Sequence, residues 1–153
     1  MLFTRHTKTG QVVTLAIPEE SDCFAVADLF NLDRATTRRA NLSSSDVSRL
    51  LRNHMILAAT VDGQYRGAIL CRRSRASGRM LVKWVGVHPE YRRQGIATIL
   101  LDSVSRGLSG RRYAVRACVP EEALAAQHLL KSRGLKGRQR SRGVGLGVTY
   151  TFG

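Results

Sequence analysis

The stretch Val85-Gly86-Val87-His88-Pro89-Glu90-Tyr91-Arg92-Arg93-Gln94-Gly95-Ile96-Ala97-Thr98 reads as a strand, a basic loop and a helix that starts at a small-residue turn. Upstream, Met80 to Val87 is an apolar run that reads as a strand; from Gly95 the apolar residues Ala97, Leu100, Leu101, Val104 and Leu108 recur at about 3.6 residues, the period of a helix laid on a sheet. A helix start exposes backbone N–H groups that have no intrahelical partner, and its dipole favours negative charge. Gly95 has no side chain to block close approach, Arg92 and Arg93 add positive charge, and Thr98 offers a hydroxyl. Ala97 is small enough to let the helix sit close to the sheet. The segment therefore suits a pyrophosphate; the competing reading is a glycine that only packs a helix against strands.

Working outward, Met55 to Val61 and Tyr65 to Cys71 are apolar runs joined by Asp62-Gly63, a dipeptide that accepts the positive φ of a tight hairpin. The connection Arg72 to Arg79, with Gly78, leads into Met80 to Val87, so three successive antiparallel strands are expected. Towards the N-terminus, Val12 to Ile17 reads as a strand ended by Pro18. Glu19 to Phe30 follows as a helix with Phe24, Ala27 and Phe30 on one face. The serines Ser43, Ser44 and Ser45 offer an N-cap for a short helix, Asp46 to Arg52, while Arg34 to Asn41 has no clear pattern. Towards the C-terminus, the helix from Gly95 should end near Gly107 and Gly110, Tyr113 to Val119 is a strand, and Pro120-Glu121-Glu122 opens a helix stopped by Gly134. Val144, Leu146, Val148, Tyr150 and Phe152 alternate with Gly and Thr as a last strand or hairpin. The order predicts one α/β domain over 1–153, a mixed, mostly antiparallel twisted sheet flanked by helices.

The chain has 153 residues, enough for one core, and no run of about 20 apolar residues to cross a bilayer, so a cytoplasmic protein with no membrane partner is expected. Cys23, Cys71 and Cys118 lack metal or disulfide spacing and read as reduced, mostly buried thiols; with scattered histidines and no HExxH, no metal is expected. The formal net charge of +14 makes an anionic partner such as RNA or DNA a second hypothesis. The basic groups, including the run Lys136 to Arg142, are read mainly as loops and strand ends, and a solvated surface explains them equally well.

The pattern RxxGxA at Arg92 to Ala97, after a strand ending Val-Gly-Val and a His-Pro, resembles the coenzyme A motif of the GNAT N-acetyltransferases. That resemblance implies acetyl-coenzyme A as acyl donor, with its pantetheine arm along Val85, Gly86 and Val87. It places the pyrophosphate on Arg93, Gln94, Gly95, Ile96, Ala97 and Thr98, beside Arg92. It also implies transfer of acetyl to a primary amine (a protein N-terminus, a lysine or a small molecule) by direct attack in a ternary complex. Where many members carry an Asn and a catalytic Tyr in the last helix, this chain has Ala123 and Leu130, so the usual phenol is missing.

An amine with a pKa near 10.4 must still lose a proton before it attacks. The catalytic candidates are Glu19, Glu20, His88, Cys118 and Tyr150, none within a motif. Trp84 reads as core facing a helix, and Tyr91 either edges the cofactor or covers the loop. Two rival readings stand beside the enzyme: a coenzyme A-binding module without turnover, and a basic nucleic-acid or ribosome-associated protein. The Gly-rich terminal strand, placed at a sheet edge, would favour a homodimer.

Overall fold

The computed structural model describes residues 3–32, 41–106, 112–120, 123–141 and 148–153. Expectations for Gly107, Leu108, Gly110, Glu121, Glu122, Val144 and Leu146, and for 34–40, lie outside these. The strands are β1 (Phe3–His6), β2 (Val12–Ala16), β3 (Met55–Val61), β4 (Gln64–Arg73), β5 (Met80–Val87), β6 (Val115–Pro120), β7 (Gly137–Ser141) and β8 (Val148–Phe152). The helices are α1 (Cys23–Asn31), α2 (Ser44–Asn53), α3 (Ile96–Arg106) and α4 (Leu124–Ser132). The strands form one eight-stranded sheet in the order β1-β2-β3-β4-β5-β6-β8-β7. Among the described residues, β5–β6 is the one parallel pair.

The expected meander of β3, β4 and β5 is present, and its first turn has Asp62 at φ 51° and Gly63 at φ 77°, as a tight hairpin demands. Each strand splits its side chains between two faces. On one, Leu57, Ile69, Cys71 and Val82 meet Ile96, Leu100, Leu101 and Val104 of α3 and Leu130 of α4. On the other, Ile56, Ala58, Ala68 and Leu70 meet Val26 and Phe30 of α1 and Val47 of α2. Each buried Leu, Ile, Val or Phe among these contributes about 1.5–3 kcal/mol of burial. The α3 helix sits close because Gly67 of β4 has no side chain: a Cβ there would lie 2.8 Å from Ile96 Cγ2. The close approach thus falls on Gly67 and Ile96, not on Ala97, which is half-buried.

Several expectations need correction. The segment before α1 is a single 3-10 turn, Glu20–Asp22, in which Glu19 and Asp22 cap one another. Phe24 is 75% exposed and does not share the buried face of Ala27 and Phe30, because the helix starts later and its core face is set by Cys23, Val26, Ala27, Leu29 and Phe30. β1 carries one half-buried residue followed by three exposed ones, so it lacks the alternation that reveals a strand, yet it pairs with β2. The basic run Lys136 to Arg142 is largely β7. β8, expected at an edge, lies between β6 and β7, so it has no free edge to offer a second copy. Cys23 and Cys71 are buried, but Cys118 is exposed.

Candidate active site

Along β4 and β5 the register runs Gly67↔Val87 to Leu70↔Trp84, then jumps to Cys71↔Val82, leaving Lys83 as the extra residue of a bulge. The parallel pairing with β6 stops at the same point: Met80↔Val115, Leu81↔Arg116 and Val82↔Ala117 are its last partners. A bulge bends and over-twists its strand. β6 meanwhile turns to β8 through Ala117↔Phe152 and Cys118↔Thr151. Residues 83–87 of β5 therefore have no strand neighbour on that side among the described residues. Backbone N–H and C=O groups in such an edge need partners, and a ligand with peptide-like amides supplies them.

The open edge leads into the phosphate-suited loop. Beyond Val87, His88 caps a 3-10 turn, Pro89–Tyr91, by accepting from Glu90 N at its Nδ1 (3.2 Å). Arg92 Nε donates to Val87 O (3.3 Å), folding the guanidinium back over the strand end. Arg93 (φ 64°) and Gly95 (φ 90°) then adopt left-handed backbone conformations that swing the chain into α3. The first helical bond is Ile99 N to Gly95 O (3.0 Å), so the amides of Ile96, Ala97 and Thr98 precede the hydrogen-bonded ladder. A strained residue two positions before a positive-φ glycine, followed by three such amides, forms a concave anion cradle.

Three residues at this site carry no sequence signal. Lys8, in the β1–β2 turn, donates its backbone N–H to Gln94 O (3.1 Å), and its side chain crosses Gly95, with Cγ 3.6 Å from where a Cβ would stand. Arg66 places its guanidinium 4.7 Å from the Tyr91 ring centre, and Tyr91 packs edge-on with His88, so Tyr91 covers the loop. The Gln94 side-chain oxygen is buried with no hydrogen-bond partner among the described residues. An orphaned amide and unladdered N–H groups under Lys8, Arg92 and Arg93 fit a diphosphate; Gly95 is the position where any side chain would intrude. The third such residue is Lys83, which only the register reveals as the bulge.

The catalytic candidates do not converge. Glu20 accepts from the Ser48 hydroxyl and lies 3.7 Å from Arg52, both on α2, while Glu19 is held in its cap with Asp22. His88 sits at the loop end of β5, five residues beyond the bulge, about 17 Å along a strand. Cys118 follows Ala117, the last β6 residue paired to β5, and exposes its thiol 3.6 Å from Thr151 Oγ1. Tyr150 pairs with Val119 in the backbone register one step further on. Leu130 is buried in the α3–α4 core. Trp84, expected in the core, is half-buried and packs against the α1–α2 core, with Phe30 edge-on at 4.2 Å.

Burial, then hydrogen bonding to Asp22, pushes the Tyr65 phenol on β4 up to about 12. Tyr65 is therefore a neutral donor at physiological pH. Burial alone pushes the Cys71 thiol up to about 12, and burial followed by the fields of Glu20 and Asp22 raises Cys23, so both stay protonated. Neither is a nucleophile. That leaves Cys118 as the exposed thiol, at the mouth of the β5–β6 gap.

The profile described as "Acetyltransferase (GNAT) family" matches residues 21–135. The chain belongs to this family of acetyltransferases. Among solved structures, the GNAT domain of S. lividans PAT superposes with a TM-score of 0.79 at 17% identity, covering 99% of this chain and 96% of that one. Diaminobutyrate acetyltransferase EctA from Paenibacillus lautus, solved with L-2,4-diaminobutyric acid and coenzyme A, gives a TM-score of 0.73 at 19% identity over 94% and 96%. The Salmonella typhimurium protein yncA, solved with its cofactor acetyl-CoA, gives 0.71 at 20% identity over 92% and 91%. At these identities the likeness is one of fold. No match was found among curated proteins.

Proposed function

We propose that this chain transfers acetyl from acetyl-coenzyme A to a primary amine by direct attack in a ternary complex. The observation that carries the reading is the continuity of two features: the β5 edge opened at Lys83, and the anion cradle at Arg93–Gly95 that lies at its far end. Related folds solved with coenzyme A or acetyl-CoA support the same donor.

In this reading the pyrophosphate rests on the amides of residues 95–98, with Lys8, Arg92 and Arg93 around it. The pantetheine arm then runs back along Val87, Gly86 and Val85 as a substitute strand. The thioester reaches the bottom of the gap, where backbone groups at the bulge polarise its carbonyl. The amine nitrogen attacks the carbonyl carbon, the C–S bond breaks, and the sulfur leaves with the electron pair. The proton lost by the amine passes to water, since neither Glu19 nor His88 is placed at the bulge. Leu130 supplies no phenol, but a thiol with a pKa of about 8.5 leaves readily as thiolate at neutral pH, so a dedicated acid is dispensable. The exposed Cys118 thiol lies at the mouth of the gap. Catalysis is then positioning and charge stabilisation on β5.

The test is coenzyme A thiol release from acetyl-CoA across a panel of primary amines, with the acetylated product identified by mass. Amine-dependent release supports the enzyme. Tight binding of acetyl-CoA with no release for any amine would establish the non-catalytic coenzyme A module instead, the reading that the missing phenol at Leu130 favours.

A further inference from the structure

The sheet face on the α1–α2 side is covered by helices over β3 and β4 and part of β5. Beyond them the strand register extends this face across β6, β8 and β7. Arg72 pairs with Leu81, and Leu81 with Arg116; Cys118 pairs with Thr151, and Thr151 with Arg138. Partners directly opposite in a ladder project to the same face, so Arg72, Arg116 and Arg138 stand on one surface, with Lys83 at the bulge between them. Val115, Ala117 and Val119 alternate onto the opposite, buried face, as this parity requires.

Arg72, Lys83 and Arg138 are exposed and Arg116 is half-buried, and none of the four meets a carboxylate among the described residues. The carboxylates at the start of α1 are already engaged: Glu20 with Arg52 and Ser48, Asp22 with Tyr65 and the Glu19 amide. The His54 imidazole at the head of β3 is held below its ordinary range by burial, then by the fields of Arg72 and Lys83. Positive potential is thus concentrated beside the gap.

Resting on the acetyltransferase reading above, we propose that this cationic face is the acceptor platform, and that the acceptor is an acidic, extended polypeptide segment presenting its amine at the Lys83–Cys118 gap. The dimensions decide for a polymer. From β4 to β7 the platform crosses four strand steps, roughly 19 Å at about 4.8 Å each, which is the reach of roughly six extended residues. A small amine would fill only the gap. Trp84, the aromatic of β5 beside the platform, is half-buried with Phe30 set edge-on against its ring, so it leaves bases of a single-stranded nucleic acid little to stack on there. Carboxylates facing arginine forks fit better.

Binding is measured by fluorescence anisotropy with labelled, C-terminally amidated octapeptides carrying four Glu, four Gln or four Arg. Each is titrated into the free and the coenzyme A-saturated protein, so the result does not depend on which amine reacts. The Glu peptide is expected to bind at least about tenfold more tightly than the Gln peptide at low salt, with the advantage shrinking as salt rises. Arg116→Glu/Arg138→Glu should abolish that advantage, while Arg5→Glu/Arg106→Glu, an equal change in net charge elsewhere, should keep it. Equal binding of the Glu and Gln peptides would overturn the proposal. So would indistinguishable behaviour of the two double variants, or tighter binding of a single-stranded oligoribonucleotide of the same charge. Coenzyme A binding without peptide discrimination defeats the platform alone. Peptide discrimination without coenzyme A binding defeats the proposed activity and supports the platform.

Discussion

Trp84 lies over Gly86 on the same face of β5, so closely that a Cβ on Gly86 would come within 2.1 Å of the indole. The ring fills the space a side chain would take and is pinned from above by Phe30 at 4.2 Å. β5 is therefore shaped from its rear face.

Gly86→Ala forces the indole to move. Because the chain has one Trp, intrinsic fluorescence reads this site alone. The variant should show a red-shifted emission and a loss of about 1–3 kcal/mol in stability by urea melts, the usual range for overpacking. It should also weaken coenzyme A binding. An unchanged spectrum would show that the ring does not occupy this position.

Cys118 is the exposed thiol of the three, while burial keeps Cys71 and Cys23 protonated and shielded. One equivalent of a thiol reagent should label the folded protein at Cys118. Saturating coenzyme A should slow that labelling severalfold, as read by intact mass. Rapid labelling at Cys71 would contradict the packing.

Lys8 crosses Gly95 from the β1–β2 turn. Lys8→Ala should weaken acetyl-CoA binding about fivefold and flatten its salt dependence, while thermal stability stays within about 0.5 kcal/mol, as for an exposed surface change. An effect on melting temperature without one on affinity would assign Lys8 to folding.

The α2 helix starts in a reciprocal cap: Asp46 N donates to Ser43 Oγ (3.2 Å) and Ser43 N to Asp46 Oδ2 (2.9 Å). Ser43→Ala should cost about 1 kcal/mol. Hydrogen bonds from Ser43 hold the Asp46 carboxyl below its ordinary value. A depressed folded pKa gives stability that is present above the unfolded carboxylate pKa of about 3.9 and is lost as pH falls further. The difference between wild type and Ser43→Ala, followed by melts, should therefore narrow below about pH 4. A constant difference would mean that Asp46 does not take part.

Much of this was legible in the residues themselves. Asp62-Gly63 dictated its hairpin through positive φ, the serines 43–45 signalled a cap that falls on Ser43, and the change from period two to 3.6 around Gly95 located the strand-to-helix turn. The gap at Lys83 was not legible, because a bulge is a mismatch between two strands and neither sequence shows it alone. β1 and β7 were hidden for a related reason. Both are edge strands with mostly polar, exposed residues, so neither has the alternation that a half-buried strand needs. Lys8 reaches Gln94 across the fold, a contact set by β1–β2 pairing far from the motif.

In the proposed binding mode the loop at Gly95 holds the diphosphate of acetyl-CoA while the β5 edge holds its arm. Isothermal titration of the native chain against Gly95→Glu tests it most directly, with circular dichroism confirming that both are folded. Glutamate at this position places a like charge and a side chain where the phosphates would sit. On this reading the native chain binds acetyl-CoA in the micromolar range and the variant loses at least about a hundredfold. Equal binding by both, or none by the folded native chain, would contradict it.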